Sequence, residues 1–276
     1  MKEPLRITLL RHAVLLLFVV ISLYPVLNVV SISLRPGDRL RSTDLAIIPA
    51  DWTFASYRAL FTEQPFLTWL GNSLVVSTVV TLTGVALAST AGYAFSRFRF
   101  IGRKATMLAI LTTQMFPATM LLLPLYVLIA RLGLVDTWLG LMVFYTATAL
   151  PFCVWQMKGF YDTIPASLEE AARIDGCTRA QAFWHVVLPL ATPGLVITAL
   201  FSFMTAWSEY IVAAQVMQNE SMFTLPLGIK GFQASLSSQW GLYAAASILV
   251  SLPVVAVFLA LSKYLINGLT VGSVKE

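Results

Sequence analysis

The sequence predicts an all-α integral membrane protein with six transmembrane helices. Charged residues make up only 11% of its 276 positions, against roughly 25% in an average soluble domain. Hydrophobic residues reach 58% and the mean hydropathy is +0.80, so the chain has too few charges to assemble a water-facing shell. That excludes an ordinary soluble enzyme or secreted binding domain.

A bilayer core about 30 Å thick takes roughly 20 mostly apolar residues per helix, because lipid offers no partner to unpaired backbone groups. Stretches of that kind run from Ala13 to Leu34, Trp69 to Phe95, Ala105 to Ile129, Trp138 to Gly159, Val186 to Ala214 and Leu242 to Leu265. Barrel strands would be much shorter, so the spans are expected to be helical. The first follows Lys2, Arg6 and Arg11 as a signal peptide would. Its apolar run is too long for a signal h-region, however, and Leu34-Arg35-Pro36 lacks the small residues of a cleavage site, so it reads as a retained span. The prolines Pro117, Pro124, Pro151, Pro189, Pro193 and Pro253 are expected to kink or break helices.

Orientation follows from the cations in alternate loops. Of the 18 Lys and Arg residues, twelve fall on one side: Lys2, Arg6, Arg11, Arg97, Arg99, Arg103, Lys104, Lys158, Arg173, Arg179, Lys263 and Lys275. The other six are Arg35, Arg39, Arg41, Arg58, Arg131 and Lys230, the first four interspersed with Asp38, Asp44, Asp51 and Glu63. Both termini are therefore expected in the cytoplasm, which makes residues 1–12 a cytoplasmic N-terminus, 13–265 the membrane domain and 266–276 a cytoplasmic tail. The net charge of +5 is a topology signal first, since no segment is large enough to be a nucleic-acid-binding module.

Two outer loops are substantial, Arg35 to Leu67 and Gln215 to Gly241. The first, with Pro36, Gly37, Pro49, Trp52 and Tyr57, either docks an external partner or caps the bundle. No internal repeat or inverted pair of broken spans is visible, which argues against a complete secondary transporter in one chain.

The cytoplasmic loop at 162–189 is the most informative. Ser167 with Glu170, and Thr178 with Gln181, have capping-box spacing, and Gly176 lies where a residue of positive φ commonly ends a helix. Two short helices meeting at Gly176 are expected, with Leu168, Ala171 and Ala172 on one side of the first. The small Ala171 and Ala172 allow another surface to approach closely. A rigid helical knob of this kind suits force transmission from a soluble partner; spacing alone equally allows a plain helical connection.

The string Glu170-Ala171-Ala172-x-x-x-Gly176, nine residues, then Val186-x-Leu188-Pro189, resembles the EAA loop of importer permeases in the ATP-binding cassette class, with Val186 where Ile is usual. Ala94 to Arg103, Asp136-Thr137-Trp138, and the ending Asn267-Gly268-Leu269-Thr270-x-Gly272-x-Val274-Lys275 are similar to the MalG-like, carbohydrate-importing branch of that family. The resemblance covers nearly the whole chain. It implies the type I (MetI-like) importer permease fold, with Glu170, Ala171, Ala172, Gly176, Leu188 and Pro189 in a coupling helix that docks on an ATPase. It also implies a tail, Asn267, Gly268, Leu269, Thr270, Gly272 and Lys275, that reaches the ATPase interface. The implied partners are a MalF-like sister permease, two copies of a MalK-like ATPase that bind ATP and Mg, and an extracytoplasmic sugar-binding protein. The implied place is the inner membrane of a bacterium or archaeon, and the implied cargo an oligosaccharide such as maltose, maltodextrin or trehalose.

The chain has no GxxxxGK[ST] stretch, so ATP hydrolysis is expected in the partner and no cofactor or metal in this chain. Glu209, Trp207 and Tyr210 in the fifth span are the translocation-path candidates; Glu209 would cost about 2.5 to 3.5 kcal/mol at the bilayer centre, so it either lines the path or a subunit interface, or reaches water at the outer end. Asn72, Ser73, Thr112, Thr113, Gln114 and Gln156 are expected to be structural hydrogen-bonding groups. His185 reads as a surface or packing residue, Cys153 as a buried thiol and Cys177 as an ordinary one. The competing classes are an ion-driven six-span carrier or channel and a membrane enzyme. The latter would need a cluster of His, Asp or Glu at one depth, and the sequence presents none.

Overall fold

The computed structural model describes residues 5–38, 40, 48–116, 118–233 and 238–271. The long apolar stretches become helices because lipid-facing backbone must bond within its own segment. In chain order these are α1 (Leu5–Ser33), α2 (Ala55–Thr62), α3 (Phe66–Arg97), α4 (Arg103–Thr113), α5 (Ala118–Arg131), α6 (Trp138–Thr163), α7 (Ser167–Ile174), α8 (Arg179–Ala182), α9 (Leu188–Leu190), α10 (Thr192–Ser208), α11 (Ile211–Val216), α12 (Leu225–Lys230) and α13 (Trp240–Val271).

Two compact units result, Met1–Leu67 with Gly228–Leu252, and Thr68–Leu227 with Pro253–Glu276. In the first, α1 is apolar on every face and its central window is wholly exposed, as befits a helix whose solvent is lipid. Its C-terminal end is tied to the following loop: Ser33 Oγ lies 2.9 Å from Tyr57 Oη, Arg35 donates to Ser31 Oγ at 3.1 Å, and the Thr53 N–H donates to the Leu34 carbonyl at 2.8 Å. Trp52, Phe54 and Tyr57 form an edge-to-face series that runs into the first turn of α2.

The second unit is a bundle in which α3, α6 and α10 cross on small residues. A Cβ added at Gly84 would lie 2.9 Å from Ser202 Oγ, one at Gly92 2.8 Å from Met157 Cβ, and one at Gly194 2.7 Å from the Phe160 ring. Such close backbone approach supplies the dispersion contact that lipid cannot outcompete. Two apolar clusters fill it, one around Val80, Leu141, Tyr145 and Ala213, the other around Ala88, Cys153, Met157 and Val187.

Four described helices are long and apolar enough to span a membrane, and the number is five if Arg179–Leu190 and Thr192–Ser208, bent by 76°, are counted as one broken span. The stretch from Ala105 to Ile129, expected as one span, is two helices. α4 ends at Gln114, where Thr112 and Thr113 turn their hydroxyls back to the carbonyls of Leu108 and Ile110, and α5 begins beyond Pro117, which lies outside the described residues. Pro124, Pro151 and Pro253 sit inside continuous helices, whereas Pro189 and Pro193 occupy first-turn positions at the bend, where a missing N–H matters least.

The loop after α11 is stitched onto helix ends. Asp136, at φ 57°, accepts from the N–H groups of Gln218 and Asn219 at 2.9 and 3.0 Å. Thr137 caps α6 through the Gly140 N–H at 3.1 Å, and Trp138 Nε1 donates to the Met222 carbonyl at 3.3 Å. Asn72 donates to the carbonyls of Ser221 and Phe223, both at 2.9 Å, and Ser73 accepts from the Leu225 N–H at 2.7 Å. These polar residues are structural, as expected, although they hold a loop rather than a neighbouring helix.

Candidate functional site, a helical elbow locked to the bundle

The loop after α6 folds as two short helices around Gly176, whose φ is +95°. The Cys177 N–H donates to the Ala172 carbonyl at 3.0 Å and the Gly176 N–H to that of Arg173 at 3.2 Å, the paired bonds of a Schellman ending. Nothing lies within 4 Å of where a Gly176 Cβ would be, so the glycine is there for its backbone angle and not for space. Thr178 and Gln181 form both arms of the expected capping box, at 2.8 and 3.3 Å.

The other expected box is absent. Residue Ala166 already has helical angles (φ −64°, ψ −24°), so Ser167 stands one place inside α7 and caps nothing; the turn begins at Pro165, whose fixed φ starts it early. The face assignment is also corrected. Consecutive helical residues point about 100° apart, and Glu169 and Ala172, three apart, are the pair that faces the bundle. Leu168, Glu170 and Ala171 are exposed, and Ile174 is 87% exposed. The approachable small residue is therefore Ala171 alone, with Leu168 and Ile174 making its surface apolar.

What orients the elbow is a buried carboxylate that sequence reasoning passed over. Glu169 is 9% exposed; its Oε1 accepts from Arg97 Nε at 2.5 Å and its Oε2 from Tyr93 Oη at 2.7 Å. Arg97 also donates to the Ile164 carbonyl at 2.8 Å and to Ser96 Oγ at 3.2 Å, and Ser96 donates to Asp162 at 2.7 Å. Lys158 pairs with the same Asp162. The C-terminal ends of α3 and α6 and the whole of α7 are thus one polar network. Beneath it Tyr93 packs on Phe183 with centroids 4.6 Å apart, and Tyr161 completes the cluster.

Beyond α8 the helix widens into a π turn over Phe183–Val187, where the Leu188 N–H reaches back to the Phe183 carbonyl. Pro189 accounts for it: its ring would strike the His185 carbonyl in a regular turn, and the wider turn displaces that group. Leu188 is half-buried against the lower cluster and Pro189 is exposed; both belong to the bend, whereas the exposed apolar residues Leu168 and Ile174 belong to α7. His185 is exposed and its Nδ1 lies 3.0 Å from the Gln181 carbonyl one turn back, which makes it the surface residue of the two expected alternatives.

The translocation candidates separate. Glu209 does not sit in mid-helix: α10 stops at Ser208, and the Glu209 carboxylate accepts from the N–H groups of Val212 at 3.0 and 3.1 Å and Ala213 at 3.3 Å. A carboxylate in an apolar bundle is held by bonding the N–H groups freed where the next helix begins, which is why the expected fifth span breaks there. Glu209 nevertheless lines a cavity of about 440 Å³ with Thr113, Gln114, Thr148 and Thr205 among apolar neighbours. Gln114 donates to the Thr148 carbonyl at 3.1 Å, so the break after α4 opens onto this cavity. Trp207 is buried and stacked on Phe203, and Tyr210 lies at the surface; neither lines it. Of the tail, Asn267, Gly268, Leu269 and Thr270 continue α13 as helix, while Gly272 and Lys275 lie outside the described residues.

A bundle of apolar helices with broken spans around a mostly apolar cavity that holds a few polar groups, carrying a helical elbow bonded to its helix ends, fits a multi-pass membrane transport component. The chain belongs to the family of binding-protein-dependent transport system inner membrane components, which matches residues 81–271. It is 36% identical over 282 residues to the maltose/maltodextrin transport system permease protein MalG of Escherichia coli, covering 96% of this chain and 94% of that one. It is 35% identical to the inner membrane ABC transporter permease protein YcjP of the same organism (95% and 94% covered), and 33% identical to the diacetylchitobiose uptake system permease protein DasC of Streptomyces coelicolor (91% of each). Among solved structures, a bacterial ABC transporter involved in import of the acidic polysaccharide alginate superposes with a TM-score of 0.81 at 26% identity, over 96% of this chain and 98% of that one. The inner membrane is therefore its location, and its family is one of transport components.

Proposed function

We propose that the chain is one of two permease subunits in an ATP-driven oligosaccharide importer, and that α7 is the element through which a partner ATPase moves it. The observation that carries this reading is the asymmetry of α7: Glu169 is locked inward to Arg97 and Tyr93 while Leu168, Ala171 and Ile174 form an open apolar face. A helix bonded rigidly to the ends of α3 and α6 passes displacement to them instead of absorbing it. Two arrangements of the bundle, one open outward and one inward, then alternate as ATP binding biases the balance. The chain makes no covalent chemistry; ATP and Mg belong to two copies of a MalK-like ATPase, and the residues from Asn267 to Lys275 reach their interface. A MalF-like sister permease supplies the other half of the path, and an extracytoplasmic binding protein delivers the sugar. The elbow and both termini face the cytoplasm.

The relatives named for maltose, maltodextrin and diacetylchitobiose uptake support an oligosaccharide cargo. The cavity favours a neutral one. Its described polar lining offers hydroxyls, an amide and the Glu209 carboxylate but no cation, a poor environment for a polyuronate. The test is ATPase activity of the reconstituted assembly with its binding protein, over maltose, maltodextrins, trehalose, chitobiose and alginate oligosaccharides. Stimulation by one or more of the neutral sugars is expected. Uptake driven by an ion gradient without the ATPase would replace this reading with a secondary carrier.

A further inference from the structure

The end of the bundle that carries the elbow holds a second feature. Where α3, α4 and α6 meet, a groove of about 440 Å³ is lined by Phe95, Met107, Leu108 and Leu111 together with three cations, Arg103, Lys104 and Lys158. None of these described lining residues is acidic. Lys158 is paired with Asp162, and Arg103 has one long bond of 3.5 Å to the Ser96 carbonyl, which leaves further donors on both groups. Lys104 stands exposed at the start of α4. The adjoining turn, made at Gly102 with φ +86°, interleaves exposed Phe98, Phe100 and Ile101 with Arg99 and Arg103.

An apolar floor with a cationic side is an amphiphile's negative. Basic groups where membrane helices leave the bilayer select anionic headgroups, and an apolar groove beside them takes an acyl chain. Exposed Ile101 and Phe100 next to Arg99 belong at the same headgroup boundary, where ring and aliphatic carbon sit below and guanidinium above. We propose that this groove holds an anionic phospholipid, its phosphate at Arg103, Lys104 and Lys158 and one acyl chain along Phe95, Met107, Leu108 and Leu111. Charge complementarity selects this occupant over a zwitterionic lipid, which would bring its own cation to a site that already has three.

The intact transporter, purified in mild detergent, is incubated with equal phosphatidylglycerol and phosphatidylcholine of the same chain length, and retained lipid is read by native mass spectrometry. Preference for phosphatidylglycerol by about tenfold is expected. The preference should collapse in R103Q/K104Q, and L108W, which fills the groove with every charge kept, should lose the bound lipid. Equal retention of the two lipids by the unaltered complex overturns the site, as does undiminished retention in both variants. Efficient cross-linking of L108C to the sister permease or the ATPase also overturns it, because a protein chain would then cover the groove.

Discussion

Glu169 and Glu170 are adjacent carboxylates on α7, and their positions are opposite: the first is buried against Arg97 and Tyr93, the second exposed. Removing one partner of a buried pair leaves a charge without compensation, a loss of about 3 to 5 kcal/mol that here falls on the docking of α7 onto the bundle. R97E is therefore expected to abolish uptake with insertion intact, and R97E/E169R to restore part of it, as measured by sugar transport in vesicles at matched abundance. Failure of the double variant to exceed either single one would remove the pair from the coupling path. Gly176 acts through φ +95° alone, which disfavours ordinary side chains by about 1 to 2 kcal/mol. G176N is expected to retain most uptake, since Asn tolerates that region, while G176V should lose several-fold; equal behaviour of the two would sink the backbone argument. Gly176 was legible because a helix ending has a local signature. Glu169 was not, because its partner lies 72 residues away and the string does not say which of two neighbouring carboxylates turns inward.

At the scale of the element, hydropathy found the long helices of four of the six expected spans and missed the breaks in the stretches from Ala105 and from Val186. A window averages over Gln114 and Glu209 because both are flanked by apolar residues, so the stretches from Ala105 and from Val186 read as continuous. The breaks come from side chains that bond backbone better than a straight helix would allow: Glu209 takes the N–H groups of Val212 and Ala213, and Gln114 takes the carbonyl of Thr148. Replacing Glu209 by Leu removes an anionic cap, a loss of about 1 kcal/mol, and leaves those N–H groups in an apolar setting. E209L is expected to lower the detergent melting temperature by a few degrees, and E209Q, which keeps one acceptor, by less. Uptake by E209Q separates the two roles of the residue: normal transport with lowered stability would make it a cap only, whereas lost transport at full stability would make it part of the path.

For the whole molecule, the decisive quantity is which face of the membrane the elbow occupies and what touches it there. The proposed topology, argued from the cation count, puts α7 on the cytoplasmic side, where the exposed apolar stripe of Leu168, Ala171 and Ile174 would give a partner somewhere to sit. Composition made the membrane class legible because it sums over the whole chain, and the elbow was legible from Gly176 and the Thr178–Gln181 cap, although the cap expected at Ser167 does not form. The inward lock was not, since it exists only once α3 and α7 are brought together. Ile174, 87% exposed at the end of α7, is the natural reporter. In a background where Cys177 is replaced by Ser and Cys153 remains buried, I174C is expected to react with a membrane-impermeant maleimide in inside-out vesicles and to be silent in right-side-out ones. In the assembled complex the same thiol should be protected, and a short bifunctional reagent should join it to the ATPase subunit. Protection must depend on the ATPase: if I174C is equally shielded when the permease pair is purified without it, the stripe is covered by the sister subunit, and force enters the bundle elsewhere.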